Sequence, residues 1–269
     1  MRYETLPPPA SLSAYVRFFW IMEGGGTREQ PFVYRSMADG CTELLFHYRG
    51  CFDELTAKGS LPSFNSGIHG QSGKSRRFSI AGSFGIFGAY LYPFALPALF
   101  GLPASLVSDE MVSLDALLGI EGRDLEAQMI TAAGNRQRLQ HIVRFLEARV
   151  SRRKPDGADH MPALIRSLQK GCTPCRVAQL AGEQFLSVRQ FERQFKQASG
   201  FSPKKYLRIL RFQEALRTAG SGRSLTEVAY ACGYADQSHF IYDFKAFSGH
   251  HPGFFFKGKC TDTTALVLP

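Results

Sequence analysis

Apolar residues change their period along this chain near residue 103. Before that point stand three runs dense in aromatic and aliphatic residues: YVRFFWIME (15–23), TELLFHYRG (42–50) and FGIFGAYLY (84–92). Clusters of Gly, Ser and Pro separate them, and such runs predict strands. Residues 56–77, containing TAKGSLPSFNSG and QSGKSRR, are polar and glycine-bearing and predict a loop. No charged residue occurs from Ser79 to Ser108, which is long enough for a membrane span. Pro93, Pro97 and Pro103, with Gly82, Gly85, Gly88 and Gly101, would interrupt any continuous helix there. The pattern predicts instead a buried strand near 84–92 and a short helix starting by Pro93 and ending around Gly101. The glycines at 82, 85 and 88 mark packing or a bulge within that strand.

After residue 103 the period becomes helical, in SLDALLG (113–119), RDLEAQMITAA (123–133) and NRQRLQHIVRFLEARV (135–150). In the last, Leu139, Ile142, Val143, Leu146 and Val150 form one apolar stripe, suited to packing on its own domain or on a second subunit. SRRKPDGADH (151–160) is charged, carries Pro and Gly, lacks an apolar period and marks a linker. The predicted class is α+β: a strand-rich N-terminal domain with following helices (1–150) and an all-α domain (161–258). Residues 259–269 are expected to form a loosely held tail.

Within the second domain a pattern occurs twice. Shifted by 49 positions, QSHFIYDFKAFSGHHPGFF (237–255) falls on SVRQFERQFKQASGFSPKKY (187–206), pairing Phe240 with Phe191, Phe244 with Phe195, Lys245 with Lys196 and Gly249 with Gly200. Taken as a helix with Ser187 as N-cap, the first copy places Val188, Phe191 and Phe195 on one face. Arg189, Arg193 and Lys196 lie opposite, with Gln190 and Gln197 at the flank. A shorter helix, with Val177, Leu180 and Ala181 as its apolar face, precedes it. In the second copy LTEVAYACGY supplies the shorter helix and ends at the turn glycine Gly233, and Asp236 is the N-cap. Gln237, Phe240 and Phe244 then face inward, Ser238, Tyr242 and Lys245 outward, and His239 lies at the flank. Between the copies, residues 202–220 scan as one amphipathic helix from Pro203. Its apolar residues are Tyr206, Ile209, Leu210 and Leu216, and its cations are Lys204, Lys205, Arg208 and Arg211, of which Arg208 and Arg211 are expected to bind DNA.

A short helix, a turn and a helix with a cationic, amide-bearing outer face are what a major-groove reader needs: Arg pairs with guanine, Gln with adenine, and Lys neutralises phosphate. A linking helix of about 15 residues spans roughly 22 Å, which would set two readers about one duplex turn, roughly 34 Å, apart. A purely structural helical repeat is the competing account; it usually needs three or more units and gives no reason for the opposed cationic faces.

Charge supports this assignment. Residues 1–150 carry 14 basic and 14 acidic residues, whereas residues 151–269 carry 18 and 9, so the whole net charge of +9 lies in the second part. Such asymmetry points to a polyanion, nucleic acid or an anionic membrane. The first residues lack the features of a secretory signal, and six scattered cysteines fit a reducing cytoplasm. Cys172 and Cys175 form a C-x-x-C without the second pair a structural zinc site needs. His47 and His69 lack metal-site spacing, His250 and His251 suit a solvated turn, and no catalytic constellation or cofactor motif is present.

Two stretches carry a family likeness: LAGEQFLSVRQFERQFKQASGFSPKKYLRILRFQEALR and SLTEVAYACGYADQSHFIYDFKAFSGHHPGFF. Together they closely resemble the paired helix-turn-helix domain of the AraC family of bacterial transcription regulators, over about residues 170–257. The resemblance implies seven helices, with reading helices at 187–198 and 236–247. Arg189, Gln190 and Arg193 occupy the reading places in the first, and Ser238, His239 and Tyr242 in the second. Phe185 stands where the family usually has glycine, which implies a looser or differently shaped first turn. The first half, with LSAYVRFFWIMEG and ADGCTELLFHY, resembles the amino-terminal region of one branch of the family; in AraC-type proteins such a domain senses a small molecule, dimerises, or both. The expectation is a cytoplasmic, non-enzymatic, sequence-specific activator. Its partners would be promoter DNA, RNA polymerase, a small-molecule effector and a second copy of itself, with no membrane. The alternatives are a redox-responsive regulator using Cys172 and Cys175, an enzyme domain fused to a DNA-binding module, and a purely architectural DNA protein.

Overall fold

The computed structural model describes residues 1–152, 160–171, 176–218, 222–259 and 263–264. Nine strands come first: β1 (Arg2–Leu6), β2 (Val16–Gly25), β3 (Phe32–Ser36), β4 (Thr42–Arg49), β5 (Asp53–Thr56), β6 (Gly59–Pro62), β7 (Ser66–His69), β8 (Arg76–Ile80) and β9 (Ser83–Leu91). There follow α1 (Ala95–Phe100), a 3-10 turn at Ala104–Leu106, β10 (Met111–Ser113), α2 (Leu114–Leu118), α3 (Ile120–Thr131) and α4 (Asn135–Ser151). The second domain holds α5 (Met161–Lys170), α6 (Val177–Glu183), α7 (Val188–Ser199), α8 (Pro203–Arg217), α9 (Leu225–Ala231), α10 (Gln237–Ser248) and α11 (Pro252–Phe255). The pair β11 (Thr263–Thr264) runs parallel to β3, so part of the segment expected to be a loose tail adds an edge strand. The α+β class stands, and among the described residues the second domain has seven helices, the number that the resemblance implied.

One sheet has the order β1-β2-β9-β4-β7-β10 and the other β11-β3-β8-β5-β6. Alternation along the long strands feeds two cores. Phe18, Trp20 and Met22 of β2, Leu45 of β4 and Phe84, Ile86 and Tyr90 of β9 lie in the cluster that also holds Phe52, Phe78 and Ile80 of the second sheet's side. The alternate residues Phe19, Ile21, Leu44, Phe46, Phe87 and Ala89 pack on the far face with α1, α3 and α4. Burial on both faces is why these three strands read as unbroken apolar runs. Gly88 is required here: a Cβ on it would come within 2.3 Å of the Trp20 ring.

The stretch 56–77, expected to be a loop, contains β6 and β7 and the start of β8. These strands escape the pattern because they are short and poor in large apolar residues: β6 is exposed throughout, and β7, though buried, has Ile68 as its one large apolar residue. The uncharged stretch behaves as predicted, giving β9 and then α1, closed by Gly101 at φ 70°. No helix among the described residues is long and apolar enough to cross a membrane. The stripe on α4 packs on its own domain, with Ile142 and Leu146 fully buried.

The two domains share a core. Met37 and Ala38, in the loop between β3 and β4, and Phe94 are buried in the same apolar cluster as Phe191, Tyr206, Phe212 and Phe247. The Ala38 amide donates to the Phe247 carbonyl near the end of α10 (2.9 Å). Gln213 Nε2 on α8 donates to the Ala38 carbonyl (2.5 Å). Beyond the 3-10 turn, Ser108 Oγ donates to the Gly200 carbonyl, just past α7 (2.8 Å), and Lys205 Nζ pairs with Asp109 (3.2 Å).

Candidate nucleic-acid interface

The first helix-turn-helix unit is α6, a turn and α7. After α6 the chain makes paired capping bonds: the Phe185 amide donates to Gly182 and the Leu186 amide to Ala181, both at 3.0 Å. This is the Schellman closure, in which one residue adopts the left-handed conformation. Phe185 does so at φ 56°, a conformation that costs a residue with a Cβ about 1–2 kcal/mol. The turn is therefore neither loose nor reshaped; the glycine geometry is retained under strain. Ser187 then caps α7 in a reciprocal capping box with Gln190.

The second unit repeats the construction. The Gly233 amide donates to Tyr230 and the Tyr234 amide to Ala229, both at 3.0 Å, with Gly233 at φ 75°. Ala235 makes this turn one residue longer, so the left-handed residues are 48 apart and the N-caps Ser187 and Asp236 are 49 apart. Asp236 accepts the His239 amide (2.7 Å). Phe191 and Phe195, like Phe240 and Phe244, have no exposure. Each phenylalanine pair fixes which face of its helix turns outward.

On α7, Arg189, Arg193 and Lys196 are exposed and have no ion-pair partner among the described residues. Gln190 is exposed too, but its Oε1 accepts from the Ser187 amide and hydroxyl (3.2 and 2.8 Å), so that oxygen is engaged in the cap. On α10, Ser238, His239, Tyr242 and Lys245 are exposed, Tyr242 by 67%. Neither outward face is covered by the strand-rich domain.

The linking helix differs from its expectation. Arg208 chelates Asp243 of α10 through Nη2 and Nε (2.6 and 3.2 Å), and that fully buried carboxylate holds the guanidinium pKa above its ordinary value. Arg211 donates to the Gly233 carbonyl (3.1 Å) and lies over the Tyr234 ring. Lys205 is held by Asp109. Of the four cations read on this helix, Lys204 is exposed, and Lys205, Arg208 and Arg211 are bonded within the protein. The reason is burial on almost every side: α8 runs between the two units and also meets the β3–β4 loop.

The strand-rich domain holds a second polar site. Asp39, Cys41, Glu43, His69 and Arg76 line the space between the sheets. Asp39 accepts the Tyr90 hydroxyl (2.6 Å), and burial raises its carboxyl to about 6. Burial, with Asp39 nearby, lifts Glu43 to about 8. Burial drives His69 down to about 3 and leaves its Nε2 without a hydrogen bond. The two cavities there measure about 20 and 30 Å³, room for a water or two. A larger groove of about 740 Å³ opens between Pro97, Gly101 and Pro103 and residues of α5 and α7. No group of three or more potential metal ligands occurs among the described residues. Cys172 and Cys175 lie outside them. The two turn histidines are half-buried rather than solvated: His250 Nε2 is buried, and His251 Nδ1 accepts the Gly253 amide (3.1 Å).

Residues 180–258 match the model of a helix-turn-helix domain, and residues 4–113 that of a domain of unknown function (DUF6597). The HTH-type transcriptional activator RhaS of Pectobacterium atrosepticum is 45% identical over 71 residues, 26% of this chain and 25% of the relative. That of Salmonella arizonae is 47% identical over 60 residues, 22% of each. The chain thus spans about a quarter of the length of the curated relatives it matches. Among solved structures, ToxT of Vibrio cholerae O395 aligns over 95% of this chain and 97% of its own, with TM-score 0.47 and 10% identity. The DNA-binding domain of AdpA in complex with a target DNA aligns over 38% and 93%, with TM-score 0.36 and 24% identity.

Proposed function

We propose that this chain, whose residues 180–258 form an AraC-type helix-turn-helix domain, is a sequence-specific transcription regulator that reads two consecutive major-groove segments. The observation that carries this is the pair of Schellman-linked units with uncovered outer faces. Arg189 and Arg193 are assigned charge-assisted bonds to base edges. Lys196 and Lys245 are assigned phosphates, and Ser238, His239 and Tyr242 weaker contacts. Gln190 retains its amide donor for a base, while Arg208 and Arg211 act as positioning residues for the second unit.

Control through the strand-rich domain is supported by where that domain grips. It holds the Gly200 carbonyl beyond the first reading helix and the Phe247 carbonyl of the second, so any shift of the sandwich re-aims both. A small-molecule effector acting there, and activation through RNA polymerase at the promoter, complete the proposal. The test is to map the genomic sites the protein occupies, then compare that duplex with a random one. A preference of about 10³-fold or more is expected; equal affinity would leave an architectural protein. Arg193→Ala is expected to weaken binding more than His239→Ala or Tyr242→Ala.

A further inference from the structure

The two turns solve one backbone problem with opposite residues. Gly233 takes the left-handed position in the second unit without strain, whereas Phe185 takes it in the first against its own preference. The Phe185 ring gains nothing within the protein in return, because the residue is 96% exposed. An apolar ring packed on nothing and held on a disfavoured backbone points to a partner outside the chain.

Its place says which. Phe185 lies two residues before the N-cap of α7, at the end of a reading helix that enters the groove. Val188, one turn further on, is 44% exposed, and Arg189, Arg193 and Lys196 follow without ion-pair partners among the described residues. A cationic surface of this kind meets a polyanion. We infer that Phe185 is a DNA-contact residue, its ring packing on the apolar edge of the groove wall, deoxyribose or a thymine methyl, as α7 enters. The inference rests on the DNA-binding assignment above and adds an apolar contact to its polar set.

The experiment uses the full chain and the duplex selected by the wild-type protein, with Phe185→Gly and Phe185→Ala. The glycine variant relieves the strained φ, so its thermal midpoint is expected to rise. Its affinity for the selected duplex is expected to fall about tenfold, what covering roughly half a phenyl ring is worth. The slope of log affinity against log salt should stay unchanged, because no phosphate contact is lost. Replacing thymines by uracil in the α7 half-site separates the two edges: loss in wild type but not in the variants places the ring on a methyl, and no loss places it on the sugar. Unchanged affinity in both variants overturns the inference. So does unchanged affinity with reduced transcription in vitro, which would move the ring to a protein partner. If the wild-type protein prefers no duplex, the DNA assignment falls, and this inference with it.

Discussion

Arg208 offers the cleanest separation between a residue that touches DNA and one that aims the residues that do. Its guanidinium makes three short contacts with Asp243 and lies over the Phe247 ring. Asp243 has no exposure, and the His239 imidazole lies 4.0 Å from it. Arg208→Ala would strand that carboxylate in the core, which costs about 3–5 kcal/mol, seen as a fall in unfolding midpoint of roughly 10 °C. Replacing both partners together, Arg208→Met with Asp243→Leu, removes the stranded charge and should restore most of that loss. The DNA assay then discriminates. Loss of a phosphate contact lowers the salt slope by about 0.9, the change expected for a residue such as Lys196. Arg208→Ala should leave the slope intact in whatever fraction remains folded. A variant within about 1 kcal/mol of wild-type stability but with a reduced slope would refute the positioning role and return Arg208 to the DNA surface.

Other outcomes follow from single contacts. Glu43 and Asp39 have folded pKa values above their unfolded ones, so the folded state binds the extra protons and stability falls as pH rises from about 4 to 8. Glu43→Gln should flatten that fall in denaturant titrations and stabilise the protein by roughly 2 kcal/mol or more at pH 8; a steeper fall would contradict the burial argument. Gln213→Leu removes the donor to the Ala38 carbonyl and should cost about 1–3 kcal/mol, with faster hydrogen exchange confined to the β3–β4 loop and the end of α10. Gly88→Ala drives a methyl into Trp20, the chain's one tryptophan, and should cost about 1–3 kcal/mol with a shifted fluorescence maximum.

What the sequence could show depended on how locally each feature is determined. Strands β2, β4 and β9 were legible because burial on both faces makes them dense in apolar and aromatic residues. Strands β5 to β7 were not, since each has four residues and one large apolar side chain, Leu55, Leu61 and Ile68 in turn, too few to show a period. The reading helices were legible from their phenylalanine pairs and N-caps. The capping box at Ser187 and Gln190 has its own signature, Ser-x-x-Gln, which an N-cap assignment alone misses, and it engages the oxygen of a side chain expected to contact bases. Asp243 gave a signal of its own: a carboxylate on the inward arc between Phe240 and Phe244 demands a cation, and Arg208 of the linking helix, 35 positions back, supplies it. The insertion of Met37 and Ala38 into the helical core had no local signature, because both are small contributions to a core completed from far along the chain.

That insertion changes what the linker between the domains is for. Were residues 151–160 the chief connection, the two readers would be free of the sandwich and a signal in it would have to travel through the chain. Instead the sandwich holds the Gly200 carbonyl through Ser108, and Ser108 is held in turn by the fully buried Gln71 (2.7 Å), which also accepts the Thr42 hydroxyl of β4 (3.0 Å). It holds the Phe247 carbonyl through Ala38, one residue from Asp39 and its bond to Tyr90 of β9. Both grips fall at the C-terminal ends of the reading helices, whereas their N-terminal ends carry the residues assigned to DNA. A helix of 12 residues is about 18 Å long, so a displacement at the gripped end tilts the free end without any contact at the reading face. Control and recognition can then vary independently, with β4 connected to the first grip and β9 to the second.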